Sequence, residues 1–113
     1  MIESLIWNIR GITSKGAFDR LKQLKRMHNL QVIGIMEPFS NKKNFDKFKR
    51  RLSFEFAFAN CTNKIWLFCD SHISCNIIED MEQQVTFSIE YFGEIIHLTL
   101  VYAKCTDHLR QPL

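Results

Sequence analysis

The sequence predicts an α+β fold in which a mixed β-sheet of about seven strands carries two helices on one face. Three observations lead there. Two short apolar runs, Leu5-Ile6-Trp7-Asn8-Ile9 and Val32-Ile33-Gly34-Ile35-Met36, flank a stretch of helical period. From Phe54 onward the period becomes alternating, the mark of half-buried strands. Turn formers, including Asn60-Cys61-Thr62-Asn63 and Gly93, cut that second half into short pieces.

The first run reads as a strand covered on both faces that enters a polar turn at Arg10-Gly11. The intervening helix has Ala17, Phe18, Leu21, Leu24 and His28 on one face, with Ser14 as its N-cap. Lys15, Arg20, Lys22, Lys25 and Arg26 lie on the other. The second run then closes a βαβ unit, so the two strands are expected to be parallel, adjacent and joined by a right-handed crossover. Parallel strands end on one edge. Asn8 and Glu37, 29 residues apart, should therefore emerge side by side at the carboxyl edge, where open α/β sheets place their sites.

A second helix is expected from about Asn41 to Leu52, with Phe45, Phe48 and Leu52 as its buried stripe. Strands follow around Phe54 to Ala59, Lys64 to Cys69, Ile73 to Ile77, Val85 to Tyr91 and Ile95 to Tyr102. Gly93-Glu94 reads as the two-residue turn of the last hairpin. Ile78, Ile95 and Val101 oppose the main apolar stripe, so the face away from the helices calls for a second sheet. The expectation is half of a two-sheet sandwich, its other half to come from a missing C-terminal portion or another chain.

The 113 residues suffice for a single domain, and 46% hydrophobic with 24% charged residues is a globular composition. No apolar run has membrane-spanning length, and nothing near the start reads as a signal peptide. A nuclear or cytoplasmic setting is expected rather than a secreted one, with Cys61, Cys69, Cys75 and Cys105 as free thiols. Net charge is +3, and residues 42–51 hold six basic residues and one acid. Lys42, Lys43, Lys47, Lys49, Arg50 and Arg51 could grip DNA phosphates; the alternative is a solvated helix face. Cys69, His72 and Cys75 have zinc-like spacing but no evident fourth ligand. Trp66 and the Phe-rich strand read as core more readily than as a base-stacking surface.

Four segments fall in register with a known family: Trp7-Asn8-Ile9-Arg10-Gly11, Ile33-Gly34-Ile35-Met36-Glu37-Pro38, Lys64-Ile65-Trp66-Leu67-Phe68 and Leu100-Val101-Tyr102-Ala103-Lys104-Cys105. The chain resembles the N-terminal half of the endonuclease/exonuclease/phosphatase superfamily. Within it, the likeness is to the apurinic-endonuclease-like domain of plant LINE-type (non-LTR) retrotransposons. The resemblance implies a four-layer αββα sandwich, a magnesium ion and phosphodiester hydrolysis, that is, nicking of DNA. It makes Glu37 the metal-binding carboxylate, and Asn8 and Tyr102 active-site residues near the scissile phosphate.

The departures are specific. Arg10 stands where many members carry an acid, although the retroelement branch often has a basic or neutral residue there, which makes Arg10 a DNA contact. Cys105 replaces a phosphate-contacting asparagine. The Gly-Asp-Phe-Asn strand end and the final Ser-Asp-His motif do not occur in the 113 residues. Thr106-Asp107-His108 resembles the latter but comes about a hundred residues too early to serve as it. Removing most of a catalytic unit costs orders of magnitude in rate, so the chain is expected to be inactive as it stands.

Overall fold

The computed structural model describes residues 2–102, so Cys105 and Thr106-Asp107-His108 lie outside the described residues. The elements are β1 (Ser4–Asn8), α1 (Ala17–His28), β2 (Val32–Met36), α2 (Lys42–Arg51), β3 (Phe56–Ala59), β4 (Ile65–Cys69), β5 (Ser74–Asp80), β6 (Gln84–Tyr91) and β7 (Glu94–Val101). The fold is α+β. β1 and β2 are parallel neighbours with Asn8 opposite Met36, as the two apolar runs predict.

The seven strands do not form one sheet. β1, β2, β4 and β3 make a mixed sheet in that order, and β5, β6 and β7 make a separate antiparallel one. Strand β4 explains the division. β2 and β3 occupy both of its hydrogen-bonding edges, so β5 has no place beside it. All five β4 residues are buried, so its second face needs a cover as well. After a tight turn, closed by the Ile73 N–H donating to the Asp70 carbonyl at 3.1 Å, the chain supplies that cover itself.

Side-chain alternation sorts the core into two clusters. On the helix side, Ile33, Ile35, Trp66 and Phe68 pack with Phe18, Leu21, Phe45 and Phe48. Between the sheets, Val32, Met36, Ile65, Leu67 and Cys69 pack with Val85, Phe87, Ile89 and Leu100. Layer order is therefore helices, mixed sheet, antiparallel sheet. The sheets approach closely at Gly34, where an added Cβ would sit 2.7 Å from Leu100 Cδ1 and 2.9 Å from Ile6 Cδ1. Ile78, Ile95 and Val101 remain about half exposed on the outer face of the antiparallel sheet, among Thr86, Ser88 and Glu90.

Three local expectations are corrected. Helix α1 starts after Gly16, whose φ is 84°; Ser14 instead donates its hydroxyl to the Gly11 carbonyl at 2.7 Å, closing the preceding turn. His28 is exposed, because the chain leaves the helix next to it through Asn29 at φ 50°. The last hairpin turns at Phe92-Gly93, with φ of 50° and 81°, and Glu94 pairs with Tyr91. Two positive φ values are the two-residue turn that suits strand twist. Among the described residues no helix is long and apolar enough to cross a membrane.

Candidate functional site

The carboxyl ends of β1 and β2 are laced together beyond the last strand residues. The Ile9 N–H donates to the Met36 carbonyl at 3.1 Å, Gly11 to Glu37 at 2.8 Å and Ile12 to Pro38 at 2.9 Å. On its other flank the Glu37 N–H donates to the Lys64 carbonyl at 2.9 Å, just before β4. Glu37 is thus gripped by the backbone from both sides.

The same rim concentrates unusual backbone. Arg10, Glu37 and Phe39 have φ of 51°, 52° and 49°, in the left-handed region. For residues with a Cβ this conformation costs on the order of 1 kcal/mol or more, and such residues gather at sites whose geometry is held by their surroundings.

Asn8 and Glu37 are brought together, as parallel pairing predicts. Asn8 shares the inter-sheet side of its strand with Ser4 and Ile6, opposite to the inward Leu5 and Trp7, and is exposed. The Glu37 side chain is only 17% exposed, and the one partner within ion-pair range among the described residues is Arg10, whose Nε lies 3.9 Å from Oε2. Arg10 is 74% exposed and leans over the carboxylate from the solvent side.

Tyr102 lies at the same end of the molecule, on the second sheet, and packs against the inter-sheet cluster. Ile96 and Leu98 share a cleft with Ile2 and Ser4 at the start of β1, while Leu100 sits over Gly34 and Ile6. β7 therefore runs in the direction of β1, and its continuation at Tyr102 falls toward the Asn8 end. The Tyr102 N–H donates to Gln83 at 2.6 Å. That turn is fastened to the first sheet, because Asn60 Nδ2 donates to the neighbouring Met81 carbonyl at 3.1 Å. Asn8, Glu37 and Tyr102 thus share an end of the molecule but come from two layers.

The basic run is less unified. Lys42, Lys43, Lys47, Arg50 and Arg51 are all exposed on α2. Lys42 lines a hollow between α2 and β3 with Phe58 and Asn63. Lys47 and Arg51 face the opposite way, toward Thr13, Lys15 and Asp19. Sequence reasoning missed that Arg51 joins the bases of α1. It also missed Asn60 and Phe39, the latter with Lys64 Nζ 5.6 Å above its ring. The relative placement of two helices, and of two turns from different sheets, leaves no mark in local periodicity.

Cys69 and Cys75 come together, but His72 does not join them. Cys69 is buried between the sheets, whereas His72 is 78% exposed with Nδ1 3.5 Å from Asp70 Oδ1. Burial pushes the Asp70 carboxyl up, but hydrogen bonds from Ser71 and His72 prevail and hold it below its ordinary range. A hydrogen bond between the Cys69 and Cys75 thiols, then burial, pushes Cys69 up, and the same bond lowers Cys75.

As a magnesium site the rim is incomplete. Mg²⁺ takes one or two carboxylates and retains several waters. Glu37 supplies one carboxylate, Arg10 sets a cation beside it, and among the described residues no group of three His, Cys, Asp or Glu is placed to hold a metal. The donor set does not fit the ion without a further acid. No protein-family model matches the chain, and no curated protein matches it.

Proposed function

We propose that the chain carries the first half of an endonuclease/exonuclease/phosphatase-type domain of the retroelement kind, and that it does not cleave DNA by itself. In this reading the three layers are the αββ part of an αββα sandwich. The half-exposed Ile78, Ile95 and Val101 mark the face that the fourth layer covers. The observation that carries the proposal is the strained, doubly anchored rim, where Asn8, Arg10 and Glu37 meet at the ends of adjacent parallel strands.

Arg10 defines what this rim does. A guanidinium beside the single carboxylate lowers its affinity for a divalent cation and leaves a donor for a phosphate oxygen. The rim therefore contacts a phosphodiester without supplying the charge and the base that hydrolysis needs. Supercoiled plasmid incubated with the protein and magnesium is expected to show no nicking above background. Strong nicking that Glu37→Ala abolishes would overturn the inactivity. The Arg10→Asp variant, which adds a second acid, is expected to bind Mn²⁺ at the rim. The readout is selective paramagnetic broadening of the Asn8 and Glu37 amide signals. Uniform or absent broadening rejects a metal-site ancestry for this edge.

A second reading, a non-catalytic nucleic-acid-binding module using Lys42, Lys43, Lys47, Arg50 and Arg51, draws support from one observation. None of these side chains has a carboxylate within 4.0 Å among the described residues.

A further inference from the structure

Away from the rim, four cations converge on one groove between the helices. Lys22, Lys25 and Arg26 come from α1 and Arg51 from the end of α2, around a hollow of ≈ 370 Å³ that also touches Asn29 and Ser53. Charge in a helix's last turn is ordinarily explained by the macrodipole, and Lys25, Arg26 and Arg51 are last-turn residues. That explanation does not cover the arrangement. Arg51 does not stay over its own terminus: its guanidinium carbon lies 4.4 Å from the Phe18 ring centroid on the neighbouring helix. Lys22 lies one turn earlier, with Nζ 5.9 Å from the same ring. Lys25 Nζ sits 4.8 Å over Phe54.

Phe18 and Phe54 are both buried, so their rings are fixed platforms that hold these heads in the groove. No carboxylate among the described residues lies within 4.0 Å of any of the four cations. Asp19 lines the adjoining hollow with Lys15, Lys47 and Arg51 itself, and it makes no ion pair with the Arg51 guanidinium. Four like charges held close together repel one another, and an anion that enters the groove relieves that repulsion.

We infer that the α1–α2 groove, with Lys22, Lys25, Arg26 and Arg51, binds the phosphodiester backbone of a nucleic acid strand. The shape favours a linear polyanion over a single small phosphate. Lys22 to Arg26 covers about 6 Å of helix axis, and phosphates along one strand repeat every ~3.4 Å of duplex axis. The groove is distinct from the Asn8–Glu37 rim and stands without the nuclease reading. It also differs from the exposed α2 run, sharing only Arg51 with it.

The test is oligonucleotide binding by the intact chain, followed by fluorescence anisotropy across a salt series. Neutralising about three or four phosphates on a single strand gives a slope of log K against log salt of roughly −2 to −3. Lys22→Glu with Arg26→Glu is expected to lower affinity at least tenfold and flatten that slope. Arg26 is exposed, and Lys22 lies farther from its ring than Lys25 and Arg51 lie from theirs; circular dichroism with cooperative thermal unfolding checks that the variant is folded. Arg20→Glu, on an exposed part of α1 outside the groove, is expected to change affinity less than threefold, and Lys42→Glu with Lys43→Glu tests the α2 run for comparison. Unaltered binding by the folded Lys22/Arg26 variant overturns the inference, as does a larger loss from the Lys42/Lys43 pair. Inorganic tripolyphosphate is the competing source of the same chemistry. If it displaces the strand at equal total phosphate, the groove is a small-phosphate site and the nucleic acid assignment is overturned.

Discussion

Replacing Trp66 by alanine is expected to lower the unfolding free energy by about 3–5 kcal/mol, the range for emptying a large aromatic site in a core. A domain of this size has roughly 5–15 kcal/mol in total, so the variant should be extensively unfolded at modest denaturant. Trp66 is fully buried at the centre of the helix-facing cluster. Its ring lies 5.1 Å from Phe45, 6.3 Å from Phe48 and 6.3 Å from Phe68, so no neighbour can collapse into the space without leaving its own. The indole N–H donates to Asn63 Oδ1 at 2.6 Å, and the Asn63 amide donates to the Ser40 carbonyl. Removing the indole therefore also frees the segment after Glu37. Urea unfolding followed by far-ultraviolet circular dichroism measures the loss, and Trp66→Phe should recover most of it by restoring the packing without the N–H. A loss below 1 kcal/mol for Trp66→Ala would mean that β4 is not central to the core.

That centrality was legible from residues alone. Lys64 to Cys69 carries apolar side chains without a break, which says both faces are covered. It does not say by what. Alternation in β5 to β7 identifies an inward stripe, yet the same stripe fits a strand added to the first sheet or one stacked across from it. The choice fell to the occupied edges of β4, a property of four strands together. The candidate site divides in the same manner. Asn8 and Glu37 could be placed together because a βαβ unit fixes strand direction, and directions fix which ends coincide. The left-handed backbone at Arg10, Glu37 and Phe39 had no residue-type signal, since none is glycine or asparagine. The α1–α2 groove was unreadable for a third reason. Its cations lie about thirty residues apart and meet only because two helices pack on one sheet face.

Asn60 presents the opposite case, a residue whose composition said only turn and whose environment says keystone, and Asn60→Ala is expected to cost about 3 kcal/mol. It is the one buried polar side chain among the described residues, 4% exposed. Its Oδ1 accepts from the Lys64 N–H at 2.8 Å and the Ile65 N–H at 3.0 Å. Its Nδ2 donates to Thr62 Oγ1 at 3.2 Å and to the Met81 carbonyl at 3.1 Å. Alanine would leave two backbone donors in a partly buried turn without acceptors, at roughly 1–3 kcal/mol each where water cannot reach them. Part of the tie survives, because Thr62 Oγ1 donates to the Glu82 carbonyl at 2.7 Å and the Cys61 N–H to Asp80 Oδ1 at 3.0 Å. The greater consequence is mechanical. Lys64 both donates to Asn60 and receives the Glu37 N–H, while the turn fastened by Asn60 receives the Tyr102 N–H. One carboxamide is thus common to the ties that reach Glu37 and Tyr102, and it is the largest share of the junction between the two layers. Hydrogen exchange in Asn60→Ala should accelerate together at the amides of Glu37 and Tyr102, beyond the change from lower global stability as read at β2 and β6. Acceleration confined to residues 81–83 would mean that each sheet holds its own end in place, and that the rim is two neighbouring edges rather than one site.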